Sequence, residues 1–287
     1  TMDGAAQAMS DIARTGVAEE AYIFDPQATR SSLDAKDLKR DLQRLLNVVK
    51  SRGIVEGIKL AGAGRNFIDR DVYSLHVVCS GNCDPAVATD LAAVRDVVDK
   101  YGGGEIANSI PKAARANPFE PLNGILGADG ERWAALNCKV AHSDAAKVIA
   151  GTDAIFDRHR DRMNATGVFY SRLCIAISNH AFSFEPVLRW YDEWLPLHRT
   201  VPEPSYLAKL TEPAANPEAR ALVDEIRAEI VALFAEMGAA SNQIAKTHPY
   251  YASLNAETAE LLTDLKRSLD PDGLMNPGAL MGTVYFH

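Results

Sequence analysis

The sequence predicts an α+β fold in which an antiparallel sheet carries its helices on one face. Three observations support this prediction. Strand-like and helix-like apolar patterns follow one another in the order strand, helix, strand, strand, helix, strand. The same order occurs twice along the 287 residues, without a literal sequence repeat. Because split βαβ units of this kind place two helices on one face of an antiparallel sheet, we expect duplicated ferredoxin-like halves that form one sheet.

The first half combines two helices with four strands. A leucine stripe indicates its first helix, which ends at Gly53. Asp84-Pro85 opens the second helix, because proline fits the first turn of a helix. The expected strands are Ala18–Phe24, Val55–Ala63, Asp71–Cys79 and Gly104–Asn108, and the expected helices cover about residues 35–52 and 84–100.

The second half repeats this order around a longer hairpin. Asn179-His180 forms the predicted turn between two long strands. Pro217 starts a strongly apolar helix, and Gly238 closes it. The expected strands are Arg132–Ala141, Phe169–Ser178, Ala181–Trp190 and Ala240–Lys246, and the expected helices are Asp144–Asn164 and Pro217–Met237.

The C-terminal stretch is the most clearly delimited part of the chain. Asn255 caps a predicted helix over about residues 256–268, and Asp270-Pro271 ends it, because proline forces the preceding residue out of helical geometry. From the residues alone we expect a C-terminal clasp that docks on the fold. The predicted organisation is a loose lead-in at 1–17, halves at 18–120 and 121–251, and the C-terminal helix and clasp at 252–287.

Composition argues against several kinds of partner. Thirty basic and 38 acidic residues give a net charge of −8, and no basic run interleaves with aromatics, so we expect no nucleic acid. No apolar stretch approaches the roughly 20 residues that span a bilayer, so we expect no membrane partner. The four cysteines are scattered, which indicates a reducing, cytoplasmic environment and offers no zinc quartet.

Three segments carry a family resemblance. Leu269–Leu280 resembles the closing signature of FAD-linked oxidases of the vanillyl-alcohol oxidase type. Residues 117–133 and 182–199 are similar to the branch nearest vanillyl-alcohol oxidase and p-cresol methylhydroxylase. The resemblance extends from about residue 15 to 280. It implies the cap domain of an FAD-linked oxidase or dehydrogenase, which shapes a pocket for a small hydroxylated or phenolic substrate over the flavin.

The resemblance also implies FAD, yet the chain offers no phosphate cradle. In the family a glycine-rich loop of an N-terminal domain supplies it. The nearest cluster here, Gly62-Ala-Gly64, leads into no helix and lacks the dinucleotide-binding spacing. We therefore expect a separate N-terminal FAD-binding domain as partner, and a fragment that is inactive alone. Asn276 of the closing loop is expected to contact the flavin side.

The segment Lys246–Tyr251 is the first candidate for substrate chemistry. The resemblance places Tyr250 where relatives carry a tyrosine that binds the substrate oxyanion, whereas Tyr251 stands where they carry an arginine. His248 is a candidate acid or base, because the ordinary pKa of histidine lies near 6.5. The alternative is an ordered loop whose aromatic side chains only pack.

The hairpin Cys174–Glu185 is the second candidate. D-lactate-type relatives carry a histidine-rich metal motif here, but this chain has only His180, so we expect no metal. Alternation puts Phe184 on one face of the strand and Glu185 on the other. All three side chains are candidates for substrate contact. The alternatives are a structural role for His180 and a core position for Phe184.

Two further observations stay open. Relatives carry a proline and a histidine after the tryptophan that corresponds to Trp133, whereas this chain has Ala135 and Asn137. Arg199, in a proline-rich loop, is a candidate for binding a substrate carboxylate, with a solvated loop arginine as the alternative.

The rival function is a cofactor-free ferredoxin-like module that binds a small molecule. A homodimer is compatible with both functions.

Overall fold

The structure is a computed structural model that describes residues 1–34, 45–50, 53–55, 71–106, 115–116, 119, 121–241, 243, 248 and 250–277. The chain has an α+β fold, as predicted. Its strands are β1 (Glu20–Phe24), β2 (Ser74–Val78), β3 (Arg132–Ala135), β4 (Cys138–Val140), β5 (Phe169–Ile177) and β6 (Ala181–Trp190). Its helices are α1 (Met2–Thr15), α2 (Pro26–Asp34), α3 (Asp84–Lys100), α4 (Ala145–Thr166), α5 (Pro196–Thr200), α6 (Pro204–Leu207), α7 (Pro217–Glu236) and α8 (Ala256–Leu269).

Among the described residues, six strands form one antiparallel sheet in the order β2-β1-β5-β6-β3, and β4 pairs with β6 on the same side as β3. β3 and β4 share one register against β6. Ala135 pairs with Val187, and three residues further along the chain Cys138 pairs with Phe184. The predicted strand Arg132–Ala141 is therefore present as two segments of a single line.

The strongest local signals predicted the elements best. Proline occupies the first turn of α3 and of α7, as expected. The side chain of Asn255 accepts a hydrogen bond from the Thr258 backbone N–H at 2.8 Å and starts α8. The β5–β6 hairpin and the main body of α4 also lie where the patterns placed them.

The N-terminal segment differs from the prediction of a loose lead-in. It forms α1, which is capped by the Thr1 side chain and ends at Gly16 with a φ of 75°. Met9 and Ile12 are fully buried, and Met2 joins the same core. The alanine-rich sequence hid this helix, because its narrow apolar stripe depends on few large side chains.

Several strands expected at the ends of the two halves lie partly outside the described residues, and their described parts differ from the prediction. Val55, where a strand was expected to begin, is helical, and residues 56–63 lie outside the described residues. Residues 104–106 form no strand, and 107–108 are not described. Ala240 makes one antiparallel bridge to Lys139, and 244–247 are not described. Of the helix expected at 35–52, residues 45–50 are helical and the others are not described.

The core lies between the sheet and a layer formed by α1, α4 and α7. On the strands, the side chains of Ile23, Cys174, Phe182 and Phe184 are fully buried against this layer. Because side chains alternate along a strand, the residues between them point to the other side of the sheet. We call that side, which points away from α1, α4 and α7, the second face.

Candidate functional site on the second face of the sheet

Two rows of paired side chains cross the second face of the sheet. Paired residues of an antiparallel sheet point to the same side, and their Cβ atoms lie about 4.5–5.5 Å apart. Each row therefore crosses the sheet from β2 to β4. The first row contains His76, Tyr22, Ile175, Ser183 and Lys139, and the second contains Ser74, Phe24, Leu173, Glu185 and, continuing the same register, Asn137.

The β2–β1 side of these rows is aromatic. The rings of Tyr22 and His76 stack, with centroids 4.9 Å apart and an interplanar angle of 11°. Phe24 lies against both rings. His76 also contacts the Ser74 hydroxyl at 2.9 Å. Burial lowers the pKa of His76 to about 4, so this imidazole is neutral at pH 7 and forms part of an apolar aromatic cluster.

The β6–β4 side is polar. The Lys139 ammonium donates a hydrogen bond to Asn137 Oδ1 at 2.8 Å, directly across from Glu185. Burial raises the pKa of the Glu185 carboxyl, and the positive charge of Lys139 partly opposes this effect. Burial likewise lowers the pKa of Lys139. The Glu185 carboxylate and the Lys139 ammonium therefore lie in a partly desolvated environment, where electrostatic interactions are stronger than in water.

His248 lies at the edge of the sheet beside β4. Ala240 pairs with Lys139 through both backbone hydrogen bonds, at 2.7 and 3.0 Å. The neighbouring Ser241 hydroxyl contacts His248 Nδ1 at 3.3 Å. His248 is buried, and its pKa is lowered by burial and by the positive charges of Lys139 and Arg227. A neutral imidazole at this position is suited to hydrogen bonding, and its lowered pKa makes it a weaker base than an ordinary histidine.

The two adjacent tyrosines have different surroundings. Tyr250 is half-buried, and its backbone N–H donates to the His248 carbonyl at 2.7 Å. The Tyr251 hydroxyl contacts Thr263 Oγ1 at 2.8 Å and the Ala259 carbonyl at 3.3 Å, both on α8. Tyr251 therefore fastens α8 to this segment, which fits packing better than substrate binding.

The structure separates three other candidates from the Glu185 site. Phe184 is fully buried against the helix layer, on the face opposite Glu185, so the expectation that it contacts substrate is replaced by its alternative as a core residue. His180 is exposed in the β5–β6 turn. Arg199 is 47% exposed and pairs through two nitrogens with Glu212, which matches the alternative of a surface arginine.

The closing loop is held in shape by Asp270. This buried carboxylate accepts backbone hydrogen bonds from Leu274 at 2.8 Å and Met275 at 3.0 Å, and it pairs with Lys266. Asn276 follows as an exposed residue with a φ of 47°, in the left-handed region. Asn276 is thus presented outward on a fixed loop, where a contact with another domain is sterically available.

Sequence reasoning missed the residues that surround Glu185. Lys139 occurs in an unremarkable strand, and Asn137 was visible only as a departure from relatives. Alternation along each strand assigned the face of each residue, but the pairing of β4 with β6 was needed to place Lys139 and Asn137 beside Glu185. The usable signal was the presence of two polar residues at alternate positions in an apolar strand.

One group outside this face has the donor set of a metal site. The ligand atoms of His159, Glu225 and Glu229 lie within 4.8 Å of one another on α4 and α7. Arg158 pairs with Glu229, and Arg162 pairs through two nitrogens with Glu225. Since arginines already neutralise both carboxylates, we interpret the group as an ionic clamp between the two helices.

The helices of the described residues include none with an apolar segment of the length needed to span a lipid bilayer.

Two solved structures of enzymes have a fold similar to that of this chain. An alkyldihydroxyacetonephosphate synthase is 11% identical, with a TM-score of 0.51, over 96% of this chain and 43% of its own. A p-cresol methylhydroxylase with bound substrate is 16% identical, with a TM-score of 0.55, over 97% of this chain and 51% of its own. At such identities the likeness shows the fold alone, and the chain spans about half the length of these proteins.

A family model gives the assignment. No curated protein matches the chain significantly. The model of the C-terminal domain of FAD-linked oxidases, by contrast, matches residues 1–280, which is nearly the whole chain. The resemblance to FAD-linked oxidases is thereby confirmed, and the chain belongs to the FAD-linked oxidase C-terminal domain family.

Proposed function

We propose that this chain is the cap and substrate domain of an FAD-dependent oxidoreductase that oxidises a small hydroxylated or phenolic substrate. The observation that carries the proposal is the composition of the second face, which combines an aromatic cluster with a half-buried carboxylate and ammonium. Apolar walls with a few polar groups are typical of small-molecule sites. The flavin, when bound, accepts a hydride from the substrate, which no protein side chain can do.

The described residues suit contact with an aromatic ring but offer no binding site for the phosphates of FAD. The stacked Tyr22 and His76 rings, with Ile175 beside them, form an apolar cluster that suits contact with an aromatic ring. A phosphate cradle is a different matter, since the described glycines form no loop that opens a helix with the required spacing. We therefore propose that the phosphates are bound by a domain outside this chain.

In this proposal the polar residues of the chain handle the proton. Glu185 accepts a proton from the substrate hydroxyl, because burial favours its neutral form. Tyr250 and the neutral His248 hydrogen-bond the substrate oxygen from the edge of the sheet. The aromatic and aliphatic side chains of the two rows exclude water, which strengthens these polar contacts. Asn276 contributes a contact on the flavin side.

The partner that we propose for α8 is the FAD-binding domain of the same protein. Leu261, Leu265 and Leu269 recur every four residues and are 68%, 52% and 69% exposed. Such a stripe on a helix with fixed ends is typical of an interface. The charge-introducing pair L261E/L265E in the full-length protein should reduce the flavin content, whereas E260K on the same helix should not. A changed oligomeric state with full flavin content would favour a homodimer instead.

The experiment that tests the function is expression of the full-length gene product. We expect a yellow protein with a flavin spectrum, which phenols or 2-hydroxy acids bleach in the absence of oxygen. A colourless full-length protein that binds such molecules without redox change would support the cofactor-free binding module instead.

Localisation of the tagged protein would test the expectation of a cytoplasmic location, which rests on its unpaired cysteines.

A further inference from the structure

A substrate hydroxyl that loses its proton needs a nearby positive charge. The Tyr251 hydroxyl contacts α8 and carries no charge. Arg189 points to the second face further along β6, yet it is bound to the buried Glu131 at 3.1 Å and to Ser171 at 3.3 Å. Neither residue therefore supplies the missing charge beside Glu185.

Lys139 occupies the required place. It pairs with Ser183, so it lies diagonally across from Glu185 on the same face. Diagonal neighbours of this kind have Cα atoms about 7–8 Å apart, which long side chains can bridge. The backbone of Lys139 is fixed on both sides, by β6 and by the bridge to Ala240. Its ammonium already interacts electrostatically with both Glu185 and His248.

We propose that Lys139 and Glu185 act as a proton- and charge-exchange pair for an acidic hydroxyl group of the substrate. The substrate O–H bond breaks, and its proton forms a new O–H bond with the Glu185 carboxylate. The resulting substrate oxyanion then pairs with the Lys139 ammonium in place of the carboxylate. The total charge of the site is the same before and after the step, and no other reactant is needed.

The surroundings favour this exchange over simple ion pairing. Among the described residues, no donor is hydrogen-bonded to the Glu185 carboxylate, and burial already favours its protonated form. Its neighbours on β5 and β1, Leu173 and Phe24, are uncharged. Within the part of the chain that the structure describes, the charged groups near it are Lys139 on β4, the Arg189–Glu131 pair further along β6, and Arg227 of α7 beyond the neutral His248.

The exchange also narrows the substrate class. A carboxylate can take a proton from a phenol, whose ordinary pKa is about 10, when a cation stabilises the product. An aliphatic hydroxyl is far less acidic and would remain protonated. The inference rests on the proposed function and selects the phenolic substrates within it.

The test uses the full-length, flavin-containing protein and 4-cyanophenol, whose ionised form has its own ultraviolet spectrum. In the wild type the bound probe should ionise about 1–3 pH units below the free probe, as expected beside a cation. K139M should abolish that difference, and K139R should largely restore it. K147M, at an exposed lysine of α4 that pairs with Asp144, should leave it unchanged.

Proton balance gives an independent readout. Binding to the wild type should release no proton, because Glu185 keeps it, whereas binding to E185Q should release about one proton per probe ionised. An equal probe pKa in K139M and K147M, or equal proton release in wild type and E185Q, would overturn the exchange. Flavin content and bleaching by substrate are measured separately, so a failure of the exchange is distinguished from a failure of the proposed function.

Discussion

Replacing Asp192 by asparagine should destabilise the end of β6, the strand that carries Glu185. The Asp192 side chain is fully buried and accepts hydrogen bonds from Arg132 at 2.7 Å and from Arg220 at 2.9 and 3.0 Å. It also accepts from the Asn216 backbone N–H at 2.8 Å and from the Trp190 indole at 3.3 Å. These contacts join β3, β6 and the start of α7 at one carboxylate.

The pKa of Asp192 indicates how much stability D192N should lose. Burial alone would raise this pKa, but the hydrogen bonds from Arg220, Asn216 and Trp190 and the charge of Arg132 lower it from 3.8 to about 2. At 1.36 kcal/mol per pH unit, the ionised side chain contributes about 2 kcal/mol. Removing one partner of a buried ion pair costs about 3–5 kcal/mol, so D192N should lose between about 2 and 5 kcal/mol.

Urea unfolding of the isolated chain as a function of pH is the assay. Because the folded-state pKa is depressed, the contribution is complete above pH 4 and is lost as pH falls towards 2. The stability difference between wild type and D192N should therefore be constant near neutral pH and shrink in acid. D157N, at an exposed pair with Arg160, should change stability by less than about 0.5 kcal/mol. A D192N loss below about 1 kcal/mol, or one that is equal at pH 7 and pH 2, would refute the reasoning.

Three other substitutions test the placement of individual residues. F184A should destabilise the chain by about 3–5 kcal/mol in urea unfolding, because its ring is fully buried, whereas F119A at a 96% exposed ring should change stability little. As pH falls from 6.5 to 4, the wild type should lose about 3 kcal/mol of stability relative to H76Q, because the unfolded chain binds a proton at His76 and the buried imidazole does not. Parallel curves of stability against pH for the two proteins would contradict this. R199Q should leave the KM for carboxylate-bearing substrates of the full-length enzyme unchanged, because Arg199 pairs with Glu212 at the surface; a rise of tenfold or more would restore Arg199 as a substrate ligand.

The sequence was sufficient for elements that carry their own boundary signals. Pro85 and Pro217 mark helix starts, and Asn255 caps α8 through its side chain, so each of these elements was predicted from a few adjacent residues. α1 was missed because its stability comes from burying Met9 and Ile12 in the core, and not from local signals.

The candidate site was predicted only in part for a similar reason. Alternation along β6 separates Glu185 from Phe184, which is a local property of one strand. The neighbourhood of Glu185 is not local, because it depends on β4 pairing with β6 in a register that continues from β3. Lys139 could be placed beside Glu185 only when that pairing was known. The surroundings of Tyr251 are also tertiary, since its hydroxyl contacts Thr263 on α8.

The most direct measurement of the central claim is the rate at which a phenolic substrate bleaches the flavin of the full-length protein without oxygen. Because Glu185 is proposed to take the substrate proton, E185Q should bleach about 100- to 10,000-fold more slowly than wild type. E236Q, at an exposed glutamate at the end of α7, should bleach at the wild-type rate. Equal rates in E185Q and E236Q would contradict the claim that the second face of this sheet performs the substrate chemistry.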